Sequence, residues 1–190
     1  ENEAAGYGGA VAIWYGDVDF INCTMADNSS HSGRGAIYAE NSADVVIRNC
    51  ILYNTYDNGS LSNDIYEGTA NITWSNSFYR SESVGENCSS CYTADPSFSD
   101  AANDDYSITS SSPAWEAGSS TYAPAADILG VTRADNSSGT GSLDDIGCYE
   151  AVCSSPSVGT VSSSATVCAG STVNLTVSGS FKVPDIGFEI

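Results

Sequence analysis

Residues 44–52 read DVVIRNCIL, and variants of the same nine residues stand at 17–25 (DVDFINCTM) and at 71–79 (NITWSNSFY). β-Branched and aromatic residues alternate with polar ones in each copy, which indicates a strand. A fixed period in this range is typical of solenoids, in which every repeat supplies one supersecondary unit. The pattern predicts an all-β chain folded as a parallel β-helix, with one repeat per coil. The asparagines that mark its 27-residue period are Asn22, Asn49 and Asn76.

Two sets of side chains are expected to face inward, because strand residues alternate between the two faces. The asparagine between the two sets tolerates a left-handed backbone and can hydrogen-bond to its counterparts in stacked coils. We therefore predict a structural role for all three asparagines. The inward residues before the asparagine are Val18, Phe20, Val45, Ile47, Ile72 and Trp74. Those after it are Cys23, Met25, Cys50, Leu52, Ser77 and Tyr79.

The pattern divides the chain into three parts. Residues 1–94 are expected to hold the coils, with polar loops at 27–32, 56–62 and 80–87, and earlier coils are expected upstream of residue 1. Residues 95–150 lose the period and are expected to cap the solenoid by covering its last apolar layer. From 151 to 190 the composition changes again and indicates the start of an Ig-like β-sandwich, with no structure assigned to 181–190.

Charge and cysteine content restrict the setting in which the chain works. The sequence has 24 acidic and 5 basic residues, a net charge of −19, which disfavours binding to nucleic acid or to anionic membranes. No apolar run reaches the roughly 18 residues that a membrane-spanning helix needs. Seven cysteines favour an oxidising compartment, so we expect a secreted or cell-surface protein without membrane insertion.

The repeats resemble the right-handed parallel β-helix of pectate-lyase-like enzymes and bacterial surface proteins. The later motifs are similar to the choice-of-anchor Q cap that ends such β-helices, although Cys148 stands where a small residue such as alanine is usual. The last part is similar to the opening of bacterial Ig-like repeats. These resemblances imply export and a multidomain bacterial parent. The cap motifs are DPSF at 95–98, DDYSI at 104–108, SSPAWEAG at 111–118, D-x-x-G-x-x-R at 127–133 and DIGCYE at 145–150.

Catalysis and metal binding have weak candidates. Elimination by a pectate-lyase-like enzyme would need a strong base beside carboxylates that hold Ca²⁺. Arg48 is the best-placed base, on an outward strand face near Asp19 and Asp44, although such a residue is more often part of an exposed ion pair. Asp17 and Asp44 should lie one coil apart, at about 4.8 Å, where a cation would relieve their repulsion. The alternative is a solvated acidic column, and no other cofactor is expected.

The cysteines separate into three cases. Cys88 and Cys91, in a C-x-x-C stretch without a second such motif, are expected to form a small loop disulfide. Cys153 and Cys168 are expected to pair with each other. Cys23 and Cys50, stacked one coil apart, could form either a disulfide or a reduced internal ladder.

The cap and the aromatic residues supply the remaining candidates. Arg133, Asp127 and Asp145 are expected to form an ion-pair cluster that fixes the cap. Outward aromatic rings would stack on sugars, whereas core packing accounts for part of the set. The aromatic residues concerned are Trp14, Tyr15, Tyr38, Tyr53, Tyr56 and Tyr66.

The sequence favours a non-catalytic role in adhesion, surface display or glycan binding. Expected partners are a polysaccharide or cell-surface glycan and further domains of the same parent chain. The alternative is a polysaccharide lyase or glycoside hydrolase that acts on acidic polysaccharide, with its active coils upstream of this chain.

Overall fold

The computed structural model describes residues 2–32, 35–79, 88–133 and 144–151. The described chain is all-β, as predicted, with parallel sheets and one 3₁₀ turn at Ala101–Asn103 as its only helical element. Within these ranges no helix has the length and apolar character needed to cross a lipid bilayer. The predicted pairing of Cys153 with Cys168 and all but the first residue of the predicted Ig-like part lie outside the described residues.

Thirteen short strands make up the described sheets. Their bounds are β1 Glu3–Ala4, β2 Val11–Ile13, β3 Asp17–Ile21, β4 Thr24–Ala26, β5 Ser29–Ser30, β6 Ile37–Ala39, β7 Asp44–Arg48, β8 Ile51–Tyr53, β9 Tyr56–Asp57, β10 Ser60–Leu61, β11 Ile65–Glu67, β12 Asn71–Ser75 and β13 Cys88–Ser89. The four sheets have the orders β1-β5-β9-β10, β11-β6-β2, β13-β12-β7-β3 and β4-β8.

The three copies of the nine-residue pattern pair in the register that their alignment predicts. Asp17 of β3 lies opposite Asp44 of β7, which lies opposite Asn71 of β12, and both pairs of strands run parallel. Strands β2, β6 and β11 pair in parallel in the same way, as do β4 and β8. Equivalent residues of successive repeats are therefore neighbours in space.

Two of the predicted polar loops are wrong in part, because they contain strands. Residues 27–32 include β5 and residues 56–62 include β9 and β10. Strand β5 pairs in parallel with β1 and β9, although its side chains are serines. Backbone pairing needs no apolar side chain, and Ser30 is fully buried at this position.

The inward columns form the first apolar core. Val45, Ile47, Ile72 and Trp74 are buried there, together with Cys50 and Leu52. The first-repeat residues Val18 and Phe20 pack on the same core but stay partly exposed, because β3 is an edge strand. The alternation of the repeat thus predicts which side chains fill the interior.

Each repeat turns a corner at its asparagine. The φ angles of Asn22, Asn49 and Asn76 are 48°, 52° and 46°, in the left-handed region that asparagine tolerates better than most residues. The side-chain amide of Asn49 donates to Asn22 Oδ1 at 3.2 Å. The corner redirects the chain from β3 to β4 and from β7 to β8.

The described residues of 95–151, called here the flanking segment, pack along the side of the repeats. The role of this part as a cap over the end of the stack stays a prediction. Asn22 Nδ2 of the first repeat donates to Asp145 O at 2.9 Å, and Ser119 N donates to Asn49 Oδ1 of the second at 2.8 Å. Outward residues of the repeats and residues of the segment share a second core, which comprises Ile51, Phe78, Ile108, Ala114 and Ile146.

Candidate functional site

An aromatic surface lies on the outer side of the sheet formed by β2, β6 and β11. Tyr38 of β6 pairs in register with Tyr66 of β11. Parallel pairing places equivalent side chains side by side on one face. Their rings stack with centroids 5.2 Å apart and planes inclined by 10°. The strand register itself therefore builds the first two rings of the surface.

Two residues from outside the strands extend this stack. The first-repeat partner of Tyr38 is the small Ala12, and the Tyr7 ring stacks on Tyr38 at 4.7 Å. Trp14, which directly follows β2, meets Tyr7 edge-on at 5.6 Å and lies 5.1 Å from Tyr38. Edge-to-face and offset-stacked pairs are the favoured arrangements of aromatic rings. The surface is therefore held by its own ring contacts.

We define the aromatic face as Tyr7, Trp14, Tyr38 and Tyr66. Trp14 is 46% exposed and Tyr7 is 42% exposed, whereas Tyr38 is buried beneath its neighbours. Tyr15, the residue after Trp14, is 75% exposed. Large exposed rings grouped together mark an interaction surface more often than scattered ones do. The face thus presents Trp14 and Tyr7 to solvent above the buried ring of Tyr38.

Polar groups border the aromatic face. Glu40 follows β6 as Trp14 follows β2, and its backbone N donates to Ile13 O at 3.0 Å. The Glu40 carboxylate accepts a hydrogen bond from Thr69 Oγ1 at 3.2 Å. An aromatic surface with a few fixed polar groups is the common composition of a ligand site. Pyranose rings, which have apolar faces and hydroxyl edges, match that composition.

Tyr53 and Tyr56 do not belong to the aromatic face. The Tyr53 hydroxyl donates to Asp95 Oδ2 at 3.0 Å and its ring meets Phe98 edge-on, so Tyr53 supports the flanking segment. Tyr56 lies in β9, where it pairs in register with Ser29. Tyr7 is the member that sequence reasoning missed. The only sign of Tyr7 in the sequence is Ala12, a small residue at the position that Tyr38 and Tyr66 occupy in the later repeats.

Arg48, the candidate catalytic base, lies in β7 between Ile21 and Ser75, as its register predicts. Its guanidinium carbon stands 4.0 Å from the ring centroid of Tyr122 in the flanking segment. Such a cation–π contact attracts the guanidinium to the face of the ring. Arg48 is therefore held as a packing residue beside Tyr122.

Asp17 and Asp44, the candidate calcium ligands, are direct register partners on β3 and β7. Asp44 Oδ1 accepts a hydrogen bond of 2.8 Å from the side-chain amide of Asn71, the next member of the column. Among the described residues, no three or more His, Cys, Asp or Glu side chains group around a point where a metal ion could bind. The column therefore brings two carboxylates and one amide together.

Arg133 is the centre of a buried polar cluster, but the predicted composition of that cluster is wrong. Its carboxylate partner is Glu150, with Nη1 3.0 Å from Oε2. Asp145 instead offers its backbone O to Arg133 at 3.2 Å, while its carboxylate accepts the N–H groups of Glu116 and Ala151 at 2.6 Å each. Glu150 carries the longer side chain and so reaches the guanidinium, whereas the Asp145 carboxylate is occupied by backbone donors.

Asp127, the third predicted member, fixes a turn and lies outside the ion pair. Its Oδ1 accepts the N–H groups of Leu129 and Val131 at 2.8 Å each, and its Oδ2 accepts Glu150 N at 3.0 Å. Partial burial opposes ionisation, but these backbone donors lower the pKa of the Asp127 carboxyl below its usual value. Asp127 thus ties the turn to the end of the flanking segment.

Burial dominates the ionisation of the other acids around Arg133. Desolvation raises the pKa of Asp145 to about 6, although the Glu116 and Ala151 N–H groups favour its charged form. Desolvation and the neighbouring Asp145 raise the pKa of Glu150 to about 8. The pKa of Asp144 is also raised by desolvation. One guanidinium therefore faces three carboxyl groups that are more easily protonated than usual.

The structure joins Cys88 to Cys91 in a disulfide with a Cα–Cα distance of 5.8 Å. Within the described ranges, free thiols remain at Cys23, Cys50 and Cys148. Cys148 lies beside a cavity of about 190 Å³ between the first repeat and the flanking segment, and burial raises its pKa. These thiols lie apart from the aromatic face.

The aromatic face and the Arg133 cluster serve different purposes. The first is exposed and rich in π-surface, which suits reversible contact with a sugar. The second is buried, and both terminal nitrogens of Arg133 are hydrogen-bonded within the fold, whereas Arg133 Nε has no hydrogen-bond partner among the described residues. Comparison of the chain with protein-family models, with curated proteins and with solved structures finds no match to any of them.

Proposed function

We propose that this chain belongs to an exported bacterial surface protein, built as a right-handed parallel β-helix, whose aromatic face binds a glycan. The parallel register of equivalent residues in successive repeats supports the β-helix. The resemblance of the repeats and of the later motifs to exported β-helix proteins supports surface location. The role is non-catalytic: adhesion or display through contact with a polysaccharide.

The aromatic face is the observation that carries this proposal. Trp14 and Tyr7 are exposed on a platform of rings that the strand register and mutual stacking hold in place. A platform fixed in this way loses little conformational freedom when a ligand binds, which favours affinity. Glu40 and Thr69 supply hydrogen-bonding groups at its border for sugar hydroxyls.

The catalytic alternative receives less support from the described residues. Its best-placed base, Arg48, is held over the ring of Tyr122, so its guanidinium packs against another part of the fold. A general base must lie within hydrogen-bond reach of the proton that it abstracts, and Tyr122 covers one face of this guanidinium. We therefore place binding ahead of lyase or hydrolase activity on acidic polysaccharide.

A glycan array probed with the 190-residue chain tests the proposal directly. Neutral, acidic and amino-sugar oligosaccharides should be present, and titration of the best ligand should change the tryptophan fluorescence. Trp14→Ala should weaken binding at least about tenfold, because it removes the indole ring of the face. Tyr122→Ala, which removes an exposed ring away from the aromatic face, is the matched control and should leave the affinity unchanged.

Two results would overturn the proposal. Absence of binding to every glycan class is one, and equal loss of affinity in the Trp14 and Tyr122 variants is the other. Release of unsaturated products from polyuronate by the wild-type chain, lost in Arg48→Ala, would favour the lyase alternative instead.

A further inference from the structure

Cys23 and Cys50 are adjacent members of one column. Ile51 N donates to Cys23 O at 2.8 Å, so the two backbones are separated by one strand spacing, about 4.8 Å. That spacing falls within the roughly 4.4–6.8 Å Cα range of disulfides. Cys50 Sγ already points toward the first repeat and lies 3.4 Å from Cys23 N. The backbone therefore permits a bond between the two sulfurs.

Ser77, the third member of the column, shows which hydrogen bonds the fold requires at this position. Ser77 Oγ donates to Ser75 O at 2.8 Å and accepts Cys50 N at 3.0 Å. Cys50 Sγ makes the equivalent contacts, with Arg48 O at 3.1 Å and with Cys23 N. A serine thus satisfies every hydrogen bond of this position. The two thiols add a chemistry that the packing does not need.

The two thiols differ in access and in ionisation. Cys23 is partly exposed, whereas Cys50 is fully buried. Hydrogen bonding from Cys50 lowers the pKa of Cys23 to about 7, while burial raises the pKa of Cys50 well above its usual value. The thiolate is the reactive form of cysteine, so the accessible member is also the nucleophilic one.

We propose that Cys23 and Cys50 form a reversible dithiol–disulfide pair that links the first two repeats, with a low-molecular-weight disulfide as the oxidant. The Cys23 thiolate attacks one sulfur of the external disulfide, the S–S bond breaks, and one thiolate leaves and takes up a proton. Cys50 then attacks Cys23 Sγ, its proton passes to the sulfur of the departing external group, and the second external thiol is released. Two protein thiols are oxidised and one external disulfide is reduced to two thiols.

Peptide mapping of the whole chain after incubation with oxidised glutathione tests this pairing. Trypsin cleavage after Arg34 and Arg48 separates the two cysteines, so the disulfide links peptide 1–34 to a peptide that begins at Asn49. We expect this linked species to form, to disappear with dithiothreitol, and to raise the melting temperature by about 5–10 °C. Cys148 should remain open to alkylation.

Serine variants keep the test independent of folding failure. Cys50→Ser installs the residue that the third repeat already carries, so the variant should fold and should trap Cys23 as a mixed disulfide with glutathione. Cys148→Ser is the matched control and should retain the link between Cys23 and Cys50. Full alkylation of both cysteines after oxidation, or a link from Cys23 to Cys148, would overturn the proposal.

Discussion

Arg133 and Asn22, which are far apart in the sequence, donate to the same two carbonyl oxygens. Arg133 binds Asp145 O at 3.2 Å and Gly147 O at 2.9 Å, while Asn22 Nδ2 binds them at 2.9 and 3.3 Å. The short turn that carries both carbonyls is thereby fixed from two sides. The Arg133 cluster therefore joins the flanking segment to the first corner of the repeats.

At pH 9, where Glu150 is ionised in the fold, Arg133→Ala should lower the free energy of unfolding by about 3–5 kcal/mol, because it leaves a buried carboxylate without its cation. Urea denaturation followed by circular dichroism measures this change. Arg48→Ala is the matched control and should cost about 1 kcal/mol or less, since its guanidinium only covers the Tyr122 ring. Equal costs for the two variants would contradict a special role for Arg133.

The protein should become more stable as the pH falls from about 9 to about 5. The pKa values of Asp145 and Glu150 are raised in the fold, to about 6 and about 8. Their contribution is therefore complete below the unfolded pKa and is lost as the pH rises through each folded value. Melting temperatures measured across this range test the trend.

Glu150→Gln isolates the Glu150 contribution from the general repulsion of a chain with net charge −19. The variant should flatten the change of melting temperature between about pH 6 and about pH 8, where Glu150 is protonated in the fold and ionised in the unfolded chain. Below about pH 6 a smaller change should remain, because Asp145 still differs in protonation between the two states. An unaltered profile in this variant would show that surface repulsion alone produces the pH dependence.

Asn49→Ala should destabilise the fold by about 2–4 kcal/mol, through a strained backbone and orphaned hydrogen-bonding groups. Asn49 Oδ1 accepts a hydrogen bond from Ser119 N, and Asn49 Nδ2 donates to Ser119 O, both at 2.8 Å. The same Nδ2 also donates to Asn22 Oδ1. Asn76→Ala shares the left-handed strain at a partly exposed position and should cost about 1–2 kcal/mol. Thermal unfolding of both variants measures the two losses of stability. Equal losses would show that backbone strain alone accounts for the effect and that the hydrogen bonds of Asn49 add nothing.

Phe78→Ala should release the flanking segment before the repeats unfold. Phe78 is buried where it packs with Ile108, Ala114 and Ile146, and its removal should cost about 3–5 kcal/mol. Limited proteolysis with chymotrypsin should then cut within residues 95–133 faster than in the wild type. Leu61→Ala, at an exposed position, should not change the rate. Protection equal to that of the wild type would contradict the packing role of Phe78.

The sequence predicts the parts of this fold that are repeated. The alternation around Val45 and Ile47 defines the inward face, and the recurrence of Asn49 every 27 residues defines the register. Both signals are local, and because the pattern occurs in three copies it can be recognised even where a single position departs from it. The pairing of β3, β7 and β12 and the first core therefore follow from the sequence alone.

The parts that the sequence does not predict depend on contacts between distant residues. The contact of Asn22 with Asp145 spans 123 residues, and no periodic pattern connects the two. Glu150 replaces Asp145 as the partner of Arg133 because of side-chain reach, which depends on the fold around it. Tyr7 joins the aromatic face from an irregular stretch, so only the completed sheet reveals its place.

The contacts of the flanking segment with all three repeats bear on how the protein unfolds. In a linear array whose units touch only their neighbours, stability adds up unit by unit and the ends fray first. Here Asn22 and Asn49 complete their hydrogen bonds only when residues 119 and 145–147 are in place. Such long-range closure slows folding and couples the repeats. We expect the described chain to melt in one cooperative transition, in which the repeats and the flanking segment unfold together and not one repeat at a time.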